Sequence, residues 1–412
     1  MAGLFLWLGH VFAQDAPNVA NFSPQSGNAQ QAGKLSSVPV NIFTGVPIIS
    51  VPIYSYGNAN SGIGWNVSLS YFAGGAQMLE APSTLGIGWS LNATSVISRT
   101  VKGMPDDISA NGYLYSPVIP PDFRSNGDKY YYDTLDTQQD IFQFSIPGHS
   151  GTFYIGKDHQ IVITPLSKLK ITFPESQASI GMISAFKIVT EDGIIYDFKT
   201  VETTKISSLV NTQSGYANIF YNAAWYLTQI TAPFSTDSIL FNYFQSPAPN
   251  NGANYNYPQT AFIRNADGVV TSTYSPTGTV ASSSTRINSI VFPDKKTLSF
   301  VYINAYPNST ADSPVAQINL SDTIFRYGYK LGYKSRDVLS ISYPLGGGQP
   351  DTTWKNYRLL LTTVTPYTAN GSKKGYTFSY QLPLLGSLSE TSLATANQRD
   401  YWGFFNAAAN VG

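Results

Sequence analysis

The sequence predicts an all-β protein built from repeated hairpins in large twisted sheets, and three observations predict it. Side chains alternate apolar and polar with a period of two through many short runs. The composition pairs 28 Tyr and 23 Phe with abundant Thr, Ser and Asn, while only 12% of residues carry charge. That mixture suits half-buried pleated surfaces. Finally, strong turn signals recur between the runs, and no segment carries a convincing helical period.

Taken in order, residues 2–13 (AGLFLWLGHVFA) form an apolar run of signal-peptide length, ending in small residues suited to cleavage after Ala13. Residues 1–13 are accordingly read as a signal peptide and 14–37 as a polar linker, although no Lys or Arg precedes the run. A short buried helix is the alternative for 2–13. No other apolar run approaches the roughly 18 residues of a spanning helix. Residues 38–43 (VPVNIF) and 46–54 (VPIISVPIY) read as two strands around Thr44-Gly45. Pro39, Pro47 and Pro52 lack an N–H and place these strands at a sheet edge. Next, 65–72 (WNVSLSYF) puts Trp65, Val67, Leu69 and Tyr71 on one face. In 85–92 (LGIGWSLN), Ile87, Trp89 and Leu91 alternate with Gly86, Gly88, Ser90 and Asn92, which predicts a further strand. Its glycines mark a place where a backbone or a large ring comes close. Residues 140–163 supply three short strands broken at PGHSG and GKDHQ, and 186–198 a hairpin around Glu191-Asp192-Gly193.

The second half contains a loose repeat. Leu227 and Ile230 precede Phe241 and Tyr243, Ile287 and Ile290 precede Phe300 and Tyr302, and Leu361 and Val364 precede Phe378 and Tyr380. Each unit is a strand, a polar turn and a second strand ending in Phe-x-Tyr. The chain thus divides into an N-terminal β region, 38–180, and a hairpin-repeat region, 181–412.

Composition also limits the chemistry. Cysteine is absent, so disulfides and thiolate sites are excluded. Lys plus Arg equals Asp plus Glu at 24 each, which leaves no field to attract nucleic acid. Gly148-His149-Ser150-Gly151 lacks the second glycine of a nucleophile elbow and sits between strands, so it reads as a hairpin turn. His10, His149 and His159 show no metal-ligand spacing. Asp133, Asp136 and Asp140 have the oxygens for calcium but not a calcium-hand loop, and read as a solvated loop. Asp106-Asp107 and Glu191-Asp192 read as turn carboxylates bonded to nearby backbone. Paired carboxylates across a glycosidase cleft are the competing reading of those two pairs. Lys295-Lys296 and Lys373-Lys374 read as hairpin tips, and Tyr130-Tyr131-Tyr132 as strand surface. These readings give no catalytic, cofactor or metal residue and point away from an enzyme.

Several segments occur in an order that resembles the N-terminal region of bacterial Rhs/YD-repeat proteins. They are TGVPIISVPIY, WNVSLSYFAGG, LGIGWSLNATSVISRTVKGMPDD, DIFQFSIPGHSGTFYI, DGIIYDF and DYWGFFN. The central segment is also similar to the amino-terminal domain of the Tc-toxin B component. The resemblance implies the N-terminal part of an Rhs-type β-shell, truncated at its C-terminus. It would be a secreted or cell-surface structural segment enclosing or presenting a C-terminal toxin. The implied partners are the downstream YD repeats and toxin of the same polypeptide, together with cell-surface components. In that frame Gly86, Gly88, Trp89, Leu91, Ile97, Arg99, Trp402 and Gly403 are structural signature residues. Gly86 and Gly88 would allow close packing, Trp89 and Leu91 would fill between layers, and Ile97 and Val101 would continue the wall. Arg99 would pair with carbonyls or an acid at a seam. The downstream YD repeats are almost absent here, with only 271–280 (TSTYSPTGTV) faintly similar. The alternative function is a surface adhesin or carbohydrate-binding β module. An outer-membrane barrel ranks last, because most strand candidates are too short and interrupted by proline.

Overall fold

The computed structural model describes residues 48–72, 83–108, 111–117, 136–174, 181–208, 219–245, 255–256, 261–264, 270–274, 278–303, 314–336 and 358–380. Among them every regular element is a strand. The signal, the linker, residues 38–43, Asp133, Tyr130-Tyr131-Tyr132, Trp402 and Gly403 lie outside the described residues.

β1 (Ile48–Gly57), β2 (Gly64–Phe72) and β3 (Trp89–Asn92) form a three-stranded antiparallel sheet in that order. β1 carries Pro52 and pairs with β2 through a register shift between Pro52 and Tyr54. In β2 the alternation is plain, because Trp65, Val67 and Leu69 are buried while Asn66 is exposed.

A second, branched antiparallel sheet takes in most other strands. β4 (Val96–Thr100) pairs with β5 (Ile141–Ile146), β5 with β6 (His149–Ile155), and β6 with β7 (Ile161–Thr164). β8 (Lys170–Thr172) and β9 (Phe186–Val189) lead to β10 (Ile195–Ser208), which lies against β11 (Ile219–Thr231). β11 is long enough to hold β4 over Ala224–Tyr226 and β12 (Ser238–Gln245) over Gln229–Thr231. Beyond it come β13 (Tyr255–Asn256), the separate pair β14 (Ala261–Arg264) and β15 (Val270–Tyr274), and β16 (Gly278–Ser282) on β10. The remaining strands are β17 (Thr285–Val291), β18 (Thr297–Tyr302), β19 (Val315–Ser321), β20 (Phe325–Arg336), β21 (Arg358–Thr368), β22 (Gly371–Ser372) and β23 (Tyr376–Thr377).

From β11 to β23 the neighbours follow one another as a row of hairpins: β11–β12, β17–β18, β19–β20 and β21–β23, joined by β12–β17, β18–β19 and β20–β21. One apolar core joins both sheets and runs from Val51 to Val364. It includes Trp65 edge-on to Phe241 at 5.1 Å and Tyr56 stacked on Phe292 at 5.1 Å. β4 pairs with β11, so strands on either side of residue 180 share one sheet.

One sequence expectation is corrected. Residues 85–88 are not strand. Gly86 (φ 94°) and Gly88 (φ 73°) occupy the left-handed region, which breaks a β ladder, and Ser83 pairs with Gly86 across a tight turn. Alternation of residue types there imitates a strand, while the strand itself begins at Trp89.

Candidate functional site

The glycine–tryptophan segment sits where the three-stranded sheet meets the hairpin row. Ser83 Oγ donates its one proton to the Trp89 carbonyl (2.6 Å) and also lies 3.0 Å from the Gly86 carbonyl, closing the turn. A Cβ on Gly88 would meet Tyr71 Cε2 at 2.8 Å, so a ring does come close there. Trp89 is buried, packs 4.7 Å from Phe378, and donates its indole N–H to Tyr380 Oη at 2.8 Å. On the other side of the turn, the Thr84 carbonyl accepts from the Val315 N–H at 2.9 Å. The segment is therefore a staple across chain separations of more than two hundred residues. Leu91 is only half-buried, whereas Ile97 and Val101 are buried in and just after β4.

The Phe-x-Tyr repeat has a shared hydrogen bond. Tyr243 donates its hydroxyl to the Leu227 carbonyl, Tyr302 to the Ile287 carbonyl (2.6 Å) and Tyr380 to the Leu361 carbonyl. In each case the acceptor is the residue that opens the apolar pair in the first strand. Burial raises the pKa of all three phenols, which keeps the donating proton in place. A fourth copy escaped the sequence reading: Tyr333 donates to the Val315 carbonyl at 2.7 Å. Val315 and Ile318 keep the spacing of the first strand, but the second reads Leu331-Gly332-Tyr333. The signal was present in the tyrosine and the apolar spacing, and was hidden by leucine in the phenylalanine position.

The strongest concentration of charge lies at the β4–β5 seam. Arg99 is fully buried and pairs with Asp107 (2.9 Å) and Asp140 (2.6 Å), both equally inaccessible. Asp140 also accepts from the Lys102 N–H at 2.7 Å and the Asp106 N–H at 3.1 Å, while the Asp140 N–H donates to Asp106 Oδ2 at 3.0 Å. Asp107 Oδ2 accepts from the Ile183 N–H at 2.7 Å. Asp136 lies against Gly103, where a Cβ would meet its Oδ1 at 2.7 Å. The aspartates at 106, 107, 136 and 140 are thus not local turn or solvated-loop carboxylates. They are buried, because each satisfies backbone donors on segments far away in the chain. Burial would lower the Arg99 pKa, but Asp107, Asp140 and Asp106 together raise it, so the guanidinium stays charged. Burial raises Asp106 and Asp140, and pushes Asp136 up to about 6. Among the described residues no group of three or more acidic or histidine side chains could hold a metal ion.

The other candidates lie apart. His149 is half-buried and 3.8 Å from Glu191, and Ser150 is exposed opposite Ser145 in the β5–β6 hairpin. Contrary to the expected four-residue turn, His149, Ser150 and Gly151 already belong to β6, and the turn is Pro147-Gly148, where Gly148 takes φ 78°. Glu191-Asp192 are exposed at the β9–β10 turn, whereas Asp106-Asp107 are wholly buried. Lys295 and Lys296 lie at the β17–β18 turn, and Lys373 and Lys374 are exposed between β22 and β23.

No family model matches the chain, and no curated protein matches it. The solved structures similar to it include these two. One is the crystal structure of TcdB2-TccC3-Cdc42, at 13% identity and a TM-score of 0.41, over 82% of this chain and 16% of that one. The other is the N-terminal domain of effector protein SpvB from Salmonella typhimurium strain LT2. It is 12% identical with a TM-score of 0.34, over 78% of this chain and 98% of that one. The chain therefore spans about a sixth of the length of the first and nearly all of the second.

Proposed function

We propose that this chain is a non-enzymatic wall segment of a secreted, toxin-related Rhs-type β-shell, which encloses or presents a downstream part of its own polypeptide. The observation that carries this reading is the row of hairpins, each closed by an equivalent tyrosine-to-carbonyl hydrogen bond. A unit that repeats with the same internal bond can be added edge to edge, as a wall requires. The signature residues support the same reading. Gly88, Trp89 and Arg99 are spent on packing, on the staple and on a buried ion pair.

The test is to express the chain within its complete natural reading frame, image the particle by electron microscopy, and digest it with protease. A hollow particle whose C-terminal segment resists cleavage is expected. A solid particle, or a C-terminal segment cut as fast as an unfolded control, overturns the reading. The second reading, a carbohydrate-binding surface module, is favoured by one feature, the polar cleft beside Arg286.

A further inference from the structure

A cavity of about 260 Å³ opens between the three-stranded sheet and the hairpin row, lined in part by Asn92, Thr94, Ser95, Thr285, Arg286 and Tyr302. A second hollow of about 570 Å³ shares Asn92, Thr94, Ser95 and Ser145 with it and continues past Tyr56, Trp65 and Tyr196. Among the described residues no carboxylate lines either one. At roughly 30 Å³ per water molecule, the smaller cavity alone has room for a compact polar group, and the two together fall in the size range of small-molecule sites.

Three features give the cleft a direction. Arg286 is half-buried, and its guanidinium lies over the Tyr302 ring at 5.2 Å. Among the described residues it has no carboxylate within ion-pair distance. Buried Glu202, which accepts from the hydroxyl of the lining residue Tyr226 at 2.9 Å, is already engaged. Next to Arg286, Thr285 is 1% exposed, and its Oγ1 is buried without a hydrogen-bond partner. A buried hydroxyl left unmatched costs free energy that a ligand recovers. The guanidinium offers a planar fork of donors suited to two oxygens of one anion.

The rest of the cleft is neutral. Asn92 is fixed by Ser70 (2.6 Å) and Ser68 (3.2 Å) through its Nδ2, which leaves its amide oxygen the acceptor of a 3.3 Å contact from Ser90. Small hydroxyls and amides of this kind match a polyhydroxyl body. We infer that the cleft is a binding site for an anionic saccharide unit, its carboxylate or phosphoryl group held by Arg286 and Thr285 and its hydroxyl-bearing ring by the neutral continuation. The inference stands without the wall reading, since a wall segment and a surface module both present this face.

The test is isothermal titration of the full chain at pH 7 with glucuronate, glucose 6-phosphate, inorganic phosphate and methyl glucoside. Saturable binding of at least one anionic sugar is expected, with the neutral glycoside weaker by about tenfold or more, the worth of a charged hydrogen bond. Preference for glucuronate assigns a carboxylate ligand, and preference for the sugar phosphate a phosphoryl ligand. Arg286→Ala should weaken binding by about tenfold or more, and Thr285→Val, which keeps the shape, by severalfold. Should Arg286→Ala fail to fold by circular dichroism, Thr285→Val and Arg286→Lys carry the same test, each weaker than wild type. Absence of saturable binding, equal affinity for methyl glucoside, or variants that bind like wild type overturns the site. Inorganic phosphate binding as tightly as the sugar phosphate overturns the saccharide assignment.

Discussion

Replacing Arg99 with methionine tests the seam most directly. Methionine keeps most of the volume and removes the charge, leaving Asp107 and Asp140 buried without the cation between them. Three contacts vanish: Nε and Nη2 to Asp140, both at 2.6 Å, and Nη1 to Asp107 at 2.9 Å. The guanidinium also leaves the faces of Phe142 (5.5 Å) and Tyr221 (5.8 Å). Removing one partner of a buried pair strands the other, and such changes cost about 3–5 kcal/mol. That corresponds to roughly two to four decades in the folding equilibrium constant. Urea unfolding followed by tryptophan fluorescence measures it, with the midpoint change multiplied by the measured slope. Arg99→Met/Asp140→Asn should recover part of the loss, because one stranded charge is then gone. Arg99→Lys should fall well short of wild type, since an ammonium cannot bridge two carboxylates with a planar fork. A loss below about 1 kcal/mol for Arg99→Met, the worth of an exposed pair, would refute the claim that this ion pair holds the seam.

Four further outcomes follow from the same geometry. The carboxyls of Asp106, Asp136 and Asp140 are raised in the folded state, so their contribution is fully present below the unfolded carboxylate value of about 4 and is lost as pH rises. The unfolding midpoint should therefore fall as pH rises from about 4, and Asp136→Asn should remove the part lost between about 4 and about 6; a flat profile in wild type contradicts this. Gly88→Ala should destabilise by about 1–2 kcal/mol for the left-handed backbone alone, with the Tyr71 ring displaced besides, and a crystal structure with that ring unmoved would count against the close approach. Trp89→Ala should cost about 3–5 kcal/mol, and a melting midpoint equal to wild type would remove the staple. Ser150→Ala and His149→Ala lie on an accessible hairpin and should stay within about 0.5 kcal/mol of wild type, so a larger loss would mean a structural role the hairpin does not display.

Much of the strand pattern was legible in the order of residues. Alternation in 65–72 places Trp65, Val67 and Leu69 inward, and the Asp192-Gly193 step turns the β9–β10 hairpin with Gly193 at φ 82°. Both follow from local rules: a strand repeats every two residues, and a tight turn needs a residue free to take positive φ. The same rule misled at 85–88, because alternation counts residue types and is blind to backbone angles. The repeat was visible three times and missed a fourth, where Leu331 stands in for phenylalanine while Tyr333 makes the same bond.

Side-chain alternation and turn residues determined the all-β class, the hairpins and the inward faces, because each depends on neighbours a few residues apart. Tertiary structure alone decided which strands lie side by side, that Trp89 reaches Tyr380, and that Asp106, Asp107 and Asp140 gather around Arg99. It alone brought Thr285 and Arg286 to the same cleft as Asn92. A carboxylate in a polar run reads as solvated until distant backbone N–H groups and a guanidinium enclose it, and sequence distance carries no record of that enclosure.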